Sequence, residues 1–183
     1  MSRLIAPFAA VAFCILGVGC AGMNVQKPTA AVTGMSVQGV DADGFTLGFA
    51  LDVHNPNNFS LPLGAADYKL GVGGVSVLDG KASPNGNVPA GGAVAIMLPV
   101  TVAFENLLRA EQSIRETGGN VPYDFAGGLS FNTGSPLMGT VRVPLHAKGT
   151  LPMKQILSDP QALLSNPAAK KLAGSVLGHF FGR

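Results

Sequence analysis

The sequence predicts a mainly all-β fold: a sandwich of about seven strands, with one inserted helix and a helical C-terminal tail. Three observations carry that reading. Between residues 31 and 147, apolar side chains recur at every second position in one segment after another, the period of a strand with one buried face. Pro, Asn and Gly clusters part these segments at the spacing expected of a sandwich. Only 12% of the 183 residues are charged and 25 are glycine, which suits β structure and argues against disorder.

The N-terminus reads as a targeting segment over residues 1–19. Arg3 supplies a positive start, and Leu4 to Val18 is an uncharged apolar run too short for a comfortable membrane span. Small residues Gly17-Val18-Gly19 then lead into Cys20-Ala21-Gly22, which resembles the lipobox of bacterial lipoproteins. Gly17 stands where that motif usually has Leu, Val or Ile, and Leu16 lies one place further back. Lipidation of Cys20 is expected, with residues 20–29 as the tether. Ordinary signal cleavage near Cys20 to Ala21 is the alternative and would release a soluble, secreted or periplasmic protein. With Cys14 removed and Cys20 acylated, neither of the two cysteines is left for a disulfide.

The domain itself is placed at residues 30–151. Its first strand spans Ala31 to Val40, with Ala31, Met35 and Val37 assigned to one side and Ser36 and Gln38 to the other. Asp41 to Gly44 turns the chain into the clearest strand. There Phe45, Leu47, Phe49, Leu51 and Val53 alternate with Thr46, Gly48, Ala50, Asp52 and His54. Asn55-Pro56-Asn57-Asn58 ends it, because proline cannot donate to a ladder and asparagine favours ordered turns.

Ala66, Tyr68, Leu70 and Val72 form the next inward set, and Gly73-Gly74 reverses the chain into a shorter strand with Val75 and Val77. Ser83 to Gly92 reads as loop. Val94, Ile96, Leu98, Val100 and Val102 are in phase, with Pro99 in the opposite phase, so an edge position or a bulge is expected there. From Phe104 to Thr117 the apolar spacing becomes helical. Glu105–Arg109 and Glu111–Arg115 are spaced for favourable ion pairs one turn apart, and Gly118-Gly119 marks the stop. Two strands follow, carrying Val121, Tyr123, Phe125, Leu129 and Phe131, then Val141, Val143, Leu145 and Ala147.

The tail, residues 152–183, holds two Asx-Pro helix starts, Asp159-Pro160 and Asn166-Pro167. The second opens an amphipathic helix with Ala169, Leu172, Ala173, Val176, Leu177 and Phe180 on one face. It reads either as a lid packed on one end of the sandwich or as a helix offered to a partner or membrane surface.

The chemistry of catalysis is not legible. Among the three histidines, His54 and His146 fall in polar strand phases and His179 in the tail. Were their strands neighbours, Asp52, His54 and His146 could meet as metal ligands, but the spacing is weak and solvated surface histidines are the plainer reading. No nucleophile elbow, phosphate loop or zinc-protease motif occurs, and the acidic residues suit helix surfaces, turns and caps. No enzyme, cofactor or metal is expected. A net charge of +2 does not suggest a nucleic-acid partner.

The strand running into Asn55-Pro56-Asn57, followed by Leu61-Pro62-Leu63 and by a helix ahead of the last two strands, resembles the WHy domain of group 2 late-embryogenesis-abundant proteins, named for water stress and hypersensitive response. The likeness covers about Ala30 to Leu151. It implies an immunoglobulin- or fibronectin-III-like sandwich and a non-enzymatic role in tolerance of drying or other stress. Bacterial members commonly carry a lipoprotein-type leader. It maps the family's Asn-Pro-Asn onto Asn55, Pro56 and Asn57, read here as structural.

Two functions follow as expectations. One is a membrane-anchored protective lipoprotein whose partners are the membrane, through its lipid, and unfolded client proteins. The other is an envelope adaptor binding a specific protein through the tail helix or a sheet edge. The expected location is the cell envelope. In a two-membrane source, resemblance to enterobacterial lipoprotein sorting implies that the absence of Asp after Cys20 favours the outer membrane, facing the periplasm.

Overall fold

The computed structural model describes residues 25–134, 139–158 and 165–181, with residues 176–181 described by backbone alone. The leader, Cys20, the Asp159-Pro160 helix start, and the side chains of Val176, Leu177, His179 and Phe180 lie outside the described residues. The domain is a sandwich of two antiparallel sheets. One has the order β1 (Thr29–Val40), β2 (Gly44–His54), β6 (Ala93–Ala103). The other runs β4 (Val75–Ala82), β3 (Leu61–Val72), β7 (Asn120–Asn132), β8 (Thr140–Pro152), with β5 (Asn87–Val88) pairing to the start of β3.

The alternating residues of β2, β3, β6, β7 and β8 face one another across the interior. Phe45, Phe49, Leu70, Val100 and Phe125 are each 0% exposed. Phe49 and Phe125, one from each sheet, stack with centroids 4.1 Å apart. Fully burying such a side chain stabilises by about 1.5–3 kcal/mol, so this layer closes the sandwich without a crosslink.

Three strand assignments change. The first concerns Ala31, which is exposed, not inward. β1 shifts register against β2 between Val32 and Gly34 and again between Val37 and Gly39. An extra residue at a bulge swings the following side chains to the other face, so the inward set is Ala30, Val32, Met35, Val37 and Val40. The second is that β3 begins at Leu61, its pairing with β7 interrupted by a shift between Leu63 and Ala66. The third is a short strand within the expected loop at 83–92: Val88 pairs with Leu61 and is fully buried. Pro99 needs no bulge. It sits in regular register opposite Gly48 on β6, whose other side is an open edge.

The helical insert is broken into α1 (Phe104–Leu107), a 3-10 turn (Leu108–Ala110) and α2 (Glu111–Glu116). Gly118 and Gly119, at φ 65° and 86°, close it. Their N–H groups donate to the carbonyls of Arg115 and Ile114 respectively, the Schellman arrangement. Neither expected i,i+4 ion pair is among those formed by the described residues. The tighter 3-10 turn takes in Arg109 and rotates it off the face of Glu105. Glu111 pairs instead with Lys171 of the last helix, at 2.9 Å.

After β8 come α3 (Met153–Ile156) and α4 (Pro167–Phe181). Asn166 caps α4 as its sequence implies: its Oδ1 accepts from the N–H groups of Ala168 (2.8 Å) and Ala169 (3.2 Å). Ala168, Ala169, Leu172 and Ala173 are buried where α4 meets α1, α2 and α3.

Strand direction gives the domain two unlike ends. The 55–60 and 83–92 connections, the end of β7 and the starts of β8 and β1 gather at one end, since Thr29 pairs with His54, His54 with Ala93, and Asn132 with Thr140. The 41–43 and 73–74 turns, the helical insert and α3 gather at the other, and α4 packs there.

Candidate functional site

The densest polar cluster is built on the predicted Asn-Pro-Asn motif. β2 delivers Asn55 to the loop end just as its ladder stops, and Pro56 turns the chain so that Asn57 lies beside it. Asn55 is 0% and Asn57 4% exposed, and buried amides must be hydrogen-bonded or they destabilise. Asn55 Nδ2 donates to the carbonyls of Phe59 (2.7 Å), Pro89 (3.1 Å) and Val88 (3.3 Å). Its Oδ1 accepts from the backbone N–H and the Nδ2 of Asn57, at 3.0 and 2.9 Å. The Asn55 backbone N–H reaches the Gly92 carbonyl, and the Gly91 N–H reaches that of Asn57.

Asn57 then grips a segment far away in sequence. Its Oδ1 accepts from the Gln26 N–H at 2.7 Å, and its Nδ2 donates to the Gln26 carbonyl at 2.9 Å. One side-chain amide thus satisfies both backbone groups of Gln26, as a neighbouring strand would. The cluster joins four stretches of chain: the stem ahead of β1, the end of β2, the approach to β3, and the 88–92 loop. It holds amides and carbonyls, with no titratable group and no nucleophile, so its chemistry is to fix backbone.

The structure does not bring together the histidines considered as metal ligands. Asp52 and His54 project from the outer face of the β1-β2-β6 sheet, while His146 projects from the outer face of the other, on the opposite side of the sandwich. Among the described residues, no group of three or more His, Cys, Asp or Glu could hold a metal ion.

On the outer face of the β4-β3-β7-β8 sheet Arg142 pairs with Asp67 (2.6 Å), Lys69 with Asp79 (3.3 Å) and Lys148 with Asp124 (3.1 Å). The hydrogen bond from Arg142 holds the Asp67 carboxyl below its ordinary value. A trough of about 250 Å³ there is lined by Asp67, Lys69, Arg142 and His146 among others, but its acid is already bonded to its base. A second hollow, of about 360 Å³, lies between β1 and the ends of β7 and β8. It presents Ser36, Asn120, Thr150 and Gln155 beside Met35 and Val37, none of them titratable.

At the helical end Glu111 is the focal acid. Ser175 Oγ donates to it at 2.7 Å beside the Lys171 ion pair. Those two contacts, the Ser175 hydrogen bond first, lower its pKa. Neither partner was legible beforehand, because both lie more than 50 residues away along the chain.

The sequence model for late embryogenesis abundant proteins, LEA_2, matches residues 50–149, more than half the chain. The chain belongs to the LEA type 2 family. Among curated LEA relatives, Late embryogenesis abundant protein Lea14-A of Gossypium hirsutum is 23% identical over 128 residues, covering 70% of this chain and 83% of its own. The Desiccation protectant protein Lea14 homolog of Glycine max is 26% identical over 128 residues, with 70% and 82% covered. A solution structure of an Arabidopsis thaliana protein superposes with TM-score 0.57 at 23% identity, over 69% of this chain and 82% of that one. The match begins within β2 and ends within β8, so it takes in Asn55 and Asn57 but not β1 or the Gln26 stem.

Proposed function

We propose that this LEA type 2 domain is a non-enzymatic stress-protection module of the WHy kind, held at the cell envelope as a bacterial lipoprotein through Cys20. Family membership across the sandwich carries the proposal, since one relative is named a desiccation protectant. A rigid, sparsely charged domain suits that work. Its amide-rich loops offer weak contacts to partly unfolded clients and keep them apart as water is withdrawn. The small-residue run into Cys20 supports the anchor, and a triacyl cysteine holds firmly at about 0.8 kcal/mol per buried CH₂.

Drying a labile enzyme with the mature protein tests the role. Greater recovered activity than an equal mass of albumin gives is the expected result, and equal recovery counts against it. The intact mass of the membrane-extracted protein tests the anchor: acyl chains on Cys20 are expected.

A second reading is an adaptor that adds a partner strand to a sheet edge. Met97, 49% exposed on the uncharged edge strand β6, favours it. Recovery of one stoichiometric partner, lost in Met97→Lys, would support that reading over generic protection.

A further inference from the structure

The N-terminal stem enters the domain at its loop end, and that end is chemically unlike the rest. Residues 55–66, 82–93, 131–134 and 139–141, which lie at that end, contain no Asp, Glu, Lys, Arg or His. The opposite end carries Asp41, Asp43, Glu105, Arg109, Arg115 and Glu116. The loop end shows water exposed Asn58, Asn85, Asn87, Pro89 and Ala90 and a half-buried Phe59. Amides and prolines lose far less than charges do when partly withdrawn from water. Lys27 on the stem and His54 at the rim add no negative charge that anionic lipid would repel.

Asn57 makes the stem's point of departure definite. With both backbone groups of Gln26 held, and Pro28 buried just after it, the chain ahead of Gln26 is a leash with a fixed origin. Six steps from Cys20 to Gln26 span at most about 20 Å. An eleven-residue strand such as β2 is itself about 35 Å long. A leash shorter than the domain, fixed at one end of it, cannot let both ends reach the same surface.

We propose that the uncharged loop end is a membrane-docking face: it rests on the lipid headgroups, with the asparagine clasp setting its orientation and the helical end turned away. The proposal rests on acylation of Cys20 and names the partner as a lipid surface. In this arrangement α4 lies on the far side, free to meet other envelope proteins.

The test uses the full chain, purified from membranes and reconstituted in phosphatidylcholine vesicles. A fluorophore is placed on Asn87→Cys or on Gln112→Cys, and quenching by a headgroup-labelled lipid is compared. At least fivefold stronger quenching at 87 is expected; equal or reversed quenching overturns the docking face. The intact mass of the same sample separates the two readings. An acylated chain with equal quenching sinks the docking face alone, and an unacylated chain with no quenching sinks both. An unacylated chain quenched at 87 leaves the face standing without its anchor. Asn57→Ala should erase the difference between sites. Where that variant does not fold, ten Gly/Ser residues inserted between Met23 and Asn24 lengthen the leash without touching the clasp and should shrink the difference too. A difference that survives these changes overturns the orienting role of the clasp.

Discussion

Arg142 on β8 reaches Asp67 on β3 by lying across Gly128 of the intervening strand β7. Its Nε and Nη2 bond the two carboxylate oxygens of Asp67 at 2.9 and 2.6 Å. A Cβ at residue 128 would collide with that guanidinium, so the bidentate pair depends on glycine. Both side chains are about half exposed, so solvent screening keeps the pair's contribution small. Gly128→Ala should lower stability slightly, and the effect should vanish in an Asp67→Asn background. A double-mutant cycle in urea measures the coupling. Gly127→Ala should cost more, about 2–3 kcal/mol, because its Cβ would meet the Asp67 carbonyl and the Tyr68 backbone, which cannot swing aside.

The Asp67 carboxyl is held below its ordinary 3.8 chiefly by Arg142. Its unfolded form therefore binds protons first as pH falls, and stability drops below about pH 4 as the folded carboxyl in turn titrates. Arg142→Met should flatten that part of the acid-unfolding profile.

Asn55→Ala should cost about 3 kcal/mol or more, since it strands the Phe59, Val88 and Pro89 carbonyls it satisfies. Asn55→Asp is expected to be no milder: it sets a carboxylate oxygen against those same carbonyls. Thermal unfolding of the two variants checks both. Asn57→Ala should leave the core intact but speed amide exchange at Gln26 by at least tenfold.

Glu111 ties α4 to the helical end through Ser175 and Lys171. Its pKa lies below the ordinary 4.5, so this contribution is complete above that value and is lost as pH falls through the lower folded one. Amide exchange over α4 should rise below about pH 4.5 while β7 stays protected. Glu111→Gln should show the raised exchange already at neutral pH and lose its acid dependence.

Two tyrosines cover glycines directly across a strand pair, Tyr68 over Gly80 and Tyr123 over Gly149. A Cβ at either glycine would stand 2.7 Å from the ring. The glycines let the rings lie flat on edge strands β4 and β8 and seal the core from the side. Gly80→Ala or Gly149→Ala should cost about 1–3 kcal/mol and reduce the near-ultraviolet dichroism of the tyrosines.

Much of the sandwich was legible because its signal is local. In β2, β7 and β8 a period of two forces alternate side chains to opposite faces, so burial follows from the residue list alone. Asn166-Pro167 was equally plain, since a cap and its helix are adjacent in the chain. β1 was harder. Its glycines at 34 and 39 hide two bulges, and a bulge reverses phase without leaving a hydrophobic mark. Val88 looked like loop because a two-residue strand carries no period.

The sequence by itself determined which strands alternate, where the turns fall, and that Asn55, Pro56 and Asn57 end a strand. Only the folded chain decided what those asparagines hold, that Gly128 carries an arginine across it, and that Glu111 forms its ion pair with Lys171. Alternation and capping are set by neighbours within a few residues. A grip between residues 26 and 57, or 67 and 142, exists only once packing of the sheets has brought distant backbone within reach.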